Sequence, residues 1–208
     1  MLSEAFPKPP ARLTRRGEEK RALILKTATG MFLEHGYDGV SLDEVVRTTG
    51  GSKTNVYNYF GGKDGLFVAV VEALCDRFLE SSVRVDLSRI NAAVGLQKIA
   101  HSFLQTLLQE SHLAFLRLII AECRRFPQLG DAWYTRGPIA TCNYIAAFLA
   151  TQEAAGAKLR ATPDVAAQMF HSMVIGGVLH RALATAYCPS ESELKAIVVS
   201  ATALIVSE

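Results

Sequence analysis

Apolar residues recur every three to four positions along almost the whole chain, and no stretch alternates with the two-residue period of a half-buried strand. Ile24, Ala28, Met31 and Phe32 predict a first helix from Glu18 to His35, with Gly36 at its left-handed terminus. Ser41-Leu-Asp-Glu44 has the form of a capping box and opens a short helix through Leu42, Val45 and Val46 that Thr49-Gly50-Gly51 ends. Ser52 caps a third helix to about Phe60. Gly61-Gly62 break it, and a longer amphipathic helix runs from Lys63 towards Ser82.

Beyond a polar connection around Arg84 to Asn91, helical stripes continue. Leu96, Ile99, Phe103, Leu107 and Leu108 form one; Leu113, Leu116, Ile119, Ile120 and Cys123 form the next, stopping before Pro127. A third carries Ile139, Cys142, Ile145, Ala146 and Leu149, and Gly137-Pro138 either begins it or kinks a longer helix that also holds Trp133. Thr162-Pro163-Asp164 is a helix start, and Ser190 to Glu193 is a second capping box. The expected fold is all-α: three short helices, a long fourth, then about five more.

The third helix does not fit a purely structural role. "SKTNVYNYF" surrounds Val56 and Phe60 with Lys53, Thr54, Asn55, Tyr57, Asn58 and Tyr59. Two short helices joined by a tight glycine turn, the second studded with such residues, match a helix-turn-helix that enters a DNA major groove. Thr54 and Asn55 offer donors, acceptors or a methyl to base edges, while Lys53, Tyr57, Tyr59 and Lys63 suit phosphate oxygens. Lys63 also opens the fourth helix, where free N–H groups favour an anion. Charge agrees: residues 1 to 65 hold ten Lys/Arg against eight Asp/Glu, and the remainder twelve of each. The Phe6 to Arg16 stretch, with three prolines and four basic residues, reads as a mobile basic arm.

Residues Ile24 to Phe67 resemble the DNA-binding domain of the TetR/AcrR family of transcriptional regulators. The likeness lies in the F-x-x-x-G-Y end of helix one, the S-K-x-x-x-Y-x-Y-F recognition helix and the K-x-x-L-F start of helix four. The segment HLAFLRLIIAECRRFPQLGDAWYTRGP and the helices after it are similar to the C-terminal domain of the AefR-like branch. The resemblance implies an all-helical homodimer, usually a repressor, that binds a palindromic operator and is released by a small molecule. By motif position it makes Lys53, Thr54 and Tyr57 base readers and Ser41, Ser52, Asn55, Tyr59 and Lys63 phosphate holders; Asn58 stands where the family varies. One departure is Gly50-Gly51-Ser52 in place of the common G-V-S, expected to loosen the turn.

The expected organisation is an arm at 1–17, a helix-turn-helix domain at 18–62, and a ligand-binding and dimerisation domain at 63–208, linked by helix 63–82. Phe103, Phe115, Trp133, Tyr134, Phe148, Met169, Phe170 and Met173 supply large soft side chains for an apolar or aromatic ligand between helices. Ile175, Gly176, Leu179, Leu183, Leu194, Val198 and Ile205 on the last two helices are the expected dimer interface. Four scattered cysteines without a C-x-x-C pair argue against disulfides or a zinc finger, and no cofactor or metal motif occurs. With no catalytic set, no signal-peptide core and no apolar run of about 18 residues, the expectation is a cytoplasmic regulator rather than an enzyme or membrane protein. The competing expectation is a helical sensor or carrier of apolar compounds without functional DNA binding.

Overall fold

The computed structural model describes residues 14–82 and 85–207, so residues 1–13 of the expected arm lie outside the described residues. Within them the chain forms ten α-helices: α1 (Arg15–His35), α2 (Leu42–Thr49), α3 (Lys53–Phe60), α4 (Lys63–Ser82), α5 (Ala92–Leu107), α6 (Glu110–Glu122), α7 (Pro127–Tyr134), α8 (Ala140–Ala154), α9 (Pro163–Ala184) and α10 (Glu191–Ile205). Among the described residues the extended pairing is one isolated bridge, Leu159 with Val206, and no helix is long and apolar enough to cross a membrane.

The first compact unit ends at Phe67 and the second begins at Val68. The first thus takes in the opening turn of α4, which the sequence assigned to the second. The reason is aromatic packing: the Phe67 ring meets Phe32 at 4.8 Å and Tyr37 at 5.1 Å, inside the core built by Ile24, Ala28 and Val45. Helix α1 also begins earlier than expected, at Arg15, because Thr14 caps it by accepting from Gly17 N.

Serine side chains start the next two helices. Ser41 Oγ accepts from Glu44 N at 3.2 Å, and Ser52 Oγ accepts from Asn55 N at 3.3 Å. Glu44 does not complete the expected capping box; its carboxylate turns along α2 towards Arg47, 3.8 Å away. The box at Ser190 and Glu193 forms in full. Between α3 and α4 the backbones touch: a Cβ on Gly65 would lie 1.6 Å from the Phe60 carbonyl oxygen. Only a glycine permits that approach.

In the second unit, α5, α8 and α9 bury Leu96, Ile99, Phe148, Leu149 and Phe170, each worth about 1.5–3 kcal/mol relative to exposure. The alternative left open at Gly137-Pro138 resolves as a kink. Residues Thr135–Ile139 form one π turn that joins α7 to α8 in a continuous helical path, with Pro138 inside it.

Candidate functional site

Helix α3 is seated by one fully buried residue, Val56, with Phe60 half-buried under the Arg21 guanidinium at 4.9 Å. A single inward residue on a two-turn helix leaves the rest of its surface outside. Lys53, Thr54, Asn58 and Tyr57, the last 58% exposed, project to solvent, with Asn55 and Tyr59 half-buried at the flanks. Ser41 and Ser52 are exposed at the starts of α2 and α3, and each hydroxyl that accepts a capping bond keeps its own hydrogen for a further acceptor. Lys63 lies at the start of α4 with Nζ 4.2 Å from the centre of the Tyr37 ring, whose hydroxyl donates to Asp64.

Two residues that the sequence did not single out shape this surface. Asp43 on α2 binds Lys53 Nζ at 2.9 Å, a contact that raises the Lys53 pKa and keeps the ammonium charged. Lys20 on α1 donates from Nζ to the carbonyls of Thr49 (2.6 Å) and Gly50 (2.9 Å), tying down the end of α2. Its stem also passes Gly51: a Cβ there would lie 3.1 Å from Lys20 Cε. The expected loosening at Gly51 is therefore offset, because Lys20 occupies the space that the missing side chain leaves. No periodicity signals such a contact, since Lys20 reaches it across 29 residues of sequence.

The second unit holds a narrow, largely apolar cavity of about 40 Å³. Phe103 of α5, Phe115 of α6 and Trp133 of α7 line it, as the sequence suggested. The other five ligand candidates do not. Phe148 and Phe170 are buried in the core, Phe148 over Gly95, while Tyr134 and Met169 are exposed and Met173 is half-buried away from the lining. Cys75 and Phe78 of α4, His112 of α6, the bulged Gly137-Pro138 and His171, Ile175 and Leu179 of α9 line it as well, with Leu107, Leu116 and Thr141. Burial pushes the Cys75 thiol up to about 12, and it pulls His112 down to about 4 and lowers His171. The cavity thus presents a protonated thiol and neutral imidazoles at neutral pH. Thr141 is committed, donating to Gly137 O at 2.9 Å.

Beside the cavity, Arg136 of the π turn reaches α4, with Nη1 2.8 Å from Asp76 and Nη2 3.4 Å from Glu72. The sequence offered no sign of this pair, since sixty residues separate the partners.

The expected dimer residues divide in the structure. Ile175 and Leu179 line the cavity, and Val198 and Ile205 are buried in the protein's own core with Ala201 and Thr202, the inward stripe of α10. Gly176, Leu183 and Leu194 are half-buried. The apolar residues left outside are their neighbours Val165, Met169, Val199 and Leu204, and nothing lies within 4 Å of a Cβ added at Gly176 or Gly177. A shift of one residue on a helix turns a side chain by about 100°, enough to exchange inside for outside.

Residues 24–70 match the bacterial regulatory proteins of the tetR family, and residues 94–207 match the C-terminal domain of AefR-like transcriptional repressors. The HTH-type transcriptional repressor ComR of Escherichia coli K12 is 40% identical over 58 residues, 28% of each chain. The HTH-type transcriptional regulator RutR of the same organism is 30% identical over 78 residues, 38% of this chain and 37% of that one. The chain thus spans about a third of the length of the curated relatives it matches. Among solved structures, a Mesorhizobium loti protein assigned to the TetR family of transcriptional regulators superposes with a TM-score of 0.76 at 28% identity, covering 91% of this chain and 96% of that one. The flavonoid-responsive regulator FrrA gives 0.74 at 28% identity, covering 89% and 93%.

Proposed function

The chain belongs to the TetR family of bacterial transcriptional regulators, and from that premise we propose that it binds a palindromic operator as a homodimer and is released by a small apolar or aromatic molecule. The observation that carries this reading is the outward face of α3, where polar, aromatic and cationic side chains stand exposed on a helix anchored by Val56. Thr54, Tyr57 and Asn58 face base edges in this reading, and Ser41, Ser52, Asn55, Tyr59, Lys53 and Lys63 hold phosphates. Lys53 exchanges Asp43 for a phosphate at little cost, because an exposed ion pair is worth about 0–1 kcal/mol.

Dimerisation falls to the outer faces of α9 and α10. Helix α9 is apolar on both sides: Phe170, Val174 and Val178 face inward, while Val165 and Met169 remain outside beside the open Gly176-Gly177 surface. A second copy supplies the cover, and a two-fold dimer sets its recognition helices about 34 Å apart, one DNA turn.

The effector enters among Phe103, Phe115 and Trp133. A cavity of about 40 Å³ is far below the roughly 300 Å³ or more of a ligand pocket, so binding must part the walls. One wall is α4, which carries Cys75 and Phe78 into the cavity, is held by Arg136, and continues to Lys63 in the head. An effector that moves α4 opposes the operator-binding state, and a coupling of about 1–3 kcal/mol weakens the operator roughly 5- to 150-fold. Similarity to a flavonoid-responsive regulator supports an aromatic effector.

The test is an electrophoretic shift with random genomic fragments, followed by titration of aromatic compounds against Trp133 emission with and without the selected DNA. A retarded palindromic fragment, and an effector weakened by DNA by the same factor as DNA by effector, are expected. A chain that binds aromatics yet retards no fragment is a sensor without DNA binding.

A further inference from the structure

The lining of the cavity is specific about the chemistry of its guest. Four aromatic rings, Phe78, Phe103, Phe115 and Trp133, form its walls, and none of its lining residues is Asp, Glu, Lys or Arg. Two imidazoles interrupt this surface. His112 lies flat on Phe78, ring centres 4.1 Å apart and planes 20° from parallel, so its nitrogens point out from the edge of the stack. His171 is buried and tilted against Phe103 at 5.5 Å. Among the described residues neither imidazole takes part in a hydrogen bond, and no buried side-chain nitrogen or oxygen is sealed off without a partner. Both residues thus line the cavity with imidazole nitrogens that are neither bonded nor sealed off.

We propose that the cavity selects an uncharged aromatic molecule bearing a hydroxyl group, which His112 and His171 hold by hydrogen bonds while the surrounding rings stack on its faces. The proposal rests on the reading of this cavity as the effector site. A neutral imidazole has one N–H donor and one bare nitrogen acceptor, and a phenolic hydroxyl both donates and accepts, so the two groups match. Thr141 cannot substitute as a donor, because its hydrogen is already given to Gly137 O. A plain hydrocarbon fills the same volume but leaves both imidazoles dry and unpaired. A carboxylate meets no standing cation and must either draw a proton from solvent onto a histidine that burial holds neutral or remain uncompensated. Hydroxyl is thus preferred on two sides, over hydrogen and over negative charge.

Three compounds of one ring system test this: naphthalene, 2-naphthol and 2-naphthoate, titrated calorimetrically into the full chain at pH 7.5. The expected order is 2-naphthol tightest, naphthalene weaker by roughly tenfold, the equivalent of one buried hydrogen bond, and 2-naphthoate weakest. In His112→Phe, which keeps the stack on Phe78, and in His171→Leu, the gap between 2-naphthol and naphthalene should shrink. His171→Asn, which restores a donor and an acceptor, should reopen it. Equal affinity for naphthalene and 2-naphthol, a tightest-binding naphthoate, or a gap that survives both histidine replacements would overturn the inference and leave the effector cavity standing. Failure of all three compounds to bind the unmodified chain would remove the cavity reading itself. The three-way comparison needs no variant, so a misfolded mutant does not shelter the idea.

Discussion

Residues 15–67 add close backbone contact and a lysine clamp on carbonyls to a small apolar core around Phe32 and Phe67, whereas residues 92–205 rest mainly on side chain packed against side chain. The Gly65 Cα sits under the Phe60 carbonyl, and Lys20 clamps the carbonyls of Thr49 and Gly50. In the bundle the comparable close approach is Gly95 beneath the ring of Phe148, with Phe, Leu and Val filling the rest. The difference suits the two tasks of the proposed function. A reading head must fix a short helix in one orientation, and hydrogen-bonded carbonyls and backbone contacts allow few alternatives. A cavity that opens for a guest needs walls that can slide, and apolar side chains shift rotamers without stranding a polar group.

The sharpest way to break this comparison is to add the same methyl group to each region. Gly65→Ala places a Cβ 1.6 Å from a backbone oxygen that cannot rotate away, so it should cost upwards of about 3 kcal/mol and abolish operator binding. Gly95→Ala meets Cζ of Phe148 at 2.1 Å, the far end of a side chain that can swing aside as a whole; a cost of about 1–3 kcal/mol is expected. Hydrogen exchange resolved by segment checks both. Loss of protection confined to 15–67 in the first variant and to the bundle in the second is the expected pattern, and equal losses would erase the distinction.

Acid should separate the regions by a different route. The unfolded imidazole titrates near 6.5, but His112 in the fold takes its proton only near about 4, and His171 is shifted the same way. Between these values the unfolded chain binds protons that the folded bundle does not. Stability is therefore full above about pH 6.5 and falls as pH drops towards 4, by on the order of 3 kcal/mol for His112. The groups around that imidazole are Cys75, held as a thiol, and His171, so no carboxylate on the cavity wall opposes the effect. The head buries no histidine. Denaturant melts followed at Trp133 should show the loss, and His112→Phe should flatten it.

Within the head, Thr54→Ala should alter preference at one base position per half-site by about 1–3 kcal/mol, whereas Lys53→Ala and Lys63→Ala should weaken all sequences alike and lower the salt slope by about one unit each. Binding to a randomised operator library at several salt concentrations distinguishes them. A uniform loss with Thr54→Ala would remove it from the readers.

The smallest effect is expected at the tie between cavity and α4. Arg136→Ala frees the π turn from Glu72 and Asp76, partly exposed partners whose pairing adds little stability. Effector and operator affinities should each change little, while the factor by which one weakens the other should fall severalfold. An unchanged factor would place the coupling elsewhere on α4.

Much of this protein was legible in its periodicity. The helix starts at Ser41, Ser52, Thr162 and Ser190 and the stops at Gly36, Gly50 and Gly61 stand where the sequence put them, because helix ends are decided within a few residues; Gly50 and Gly61 are left-handed, whereas Gly36 pairs a positive φ of 68° with an extended ψ. The outward face of α3 was legible for the same reason, since two turns with one buried anchor leave little choice. What tertiary structure alone decided is which of several equivalent apolar stripes faces which neighbour. Val198 and Ile205 turned inward while Val199 and Leu204 stayed out, and Ile175 and Leu179 came to line the cavity. A helix that is apolar all round does not encode its own orientation; the helices packed against it do. The same holds for Lys20 on the turn, Arg136 on α4 and the two histidines of the cavity. Each acts across tens of residues of chain, and no local pattern carries the position of a partner that only folding brings near.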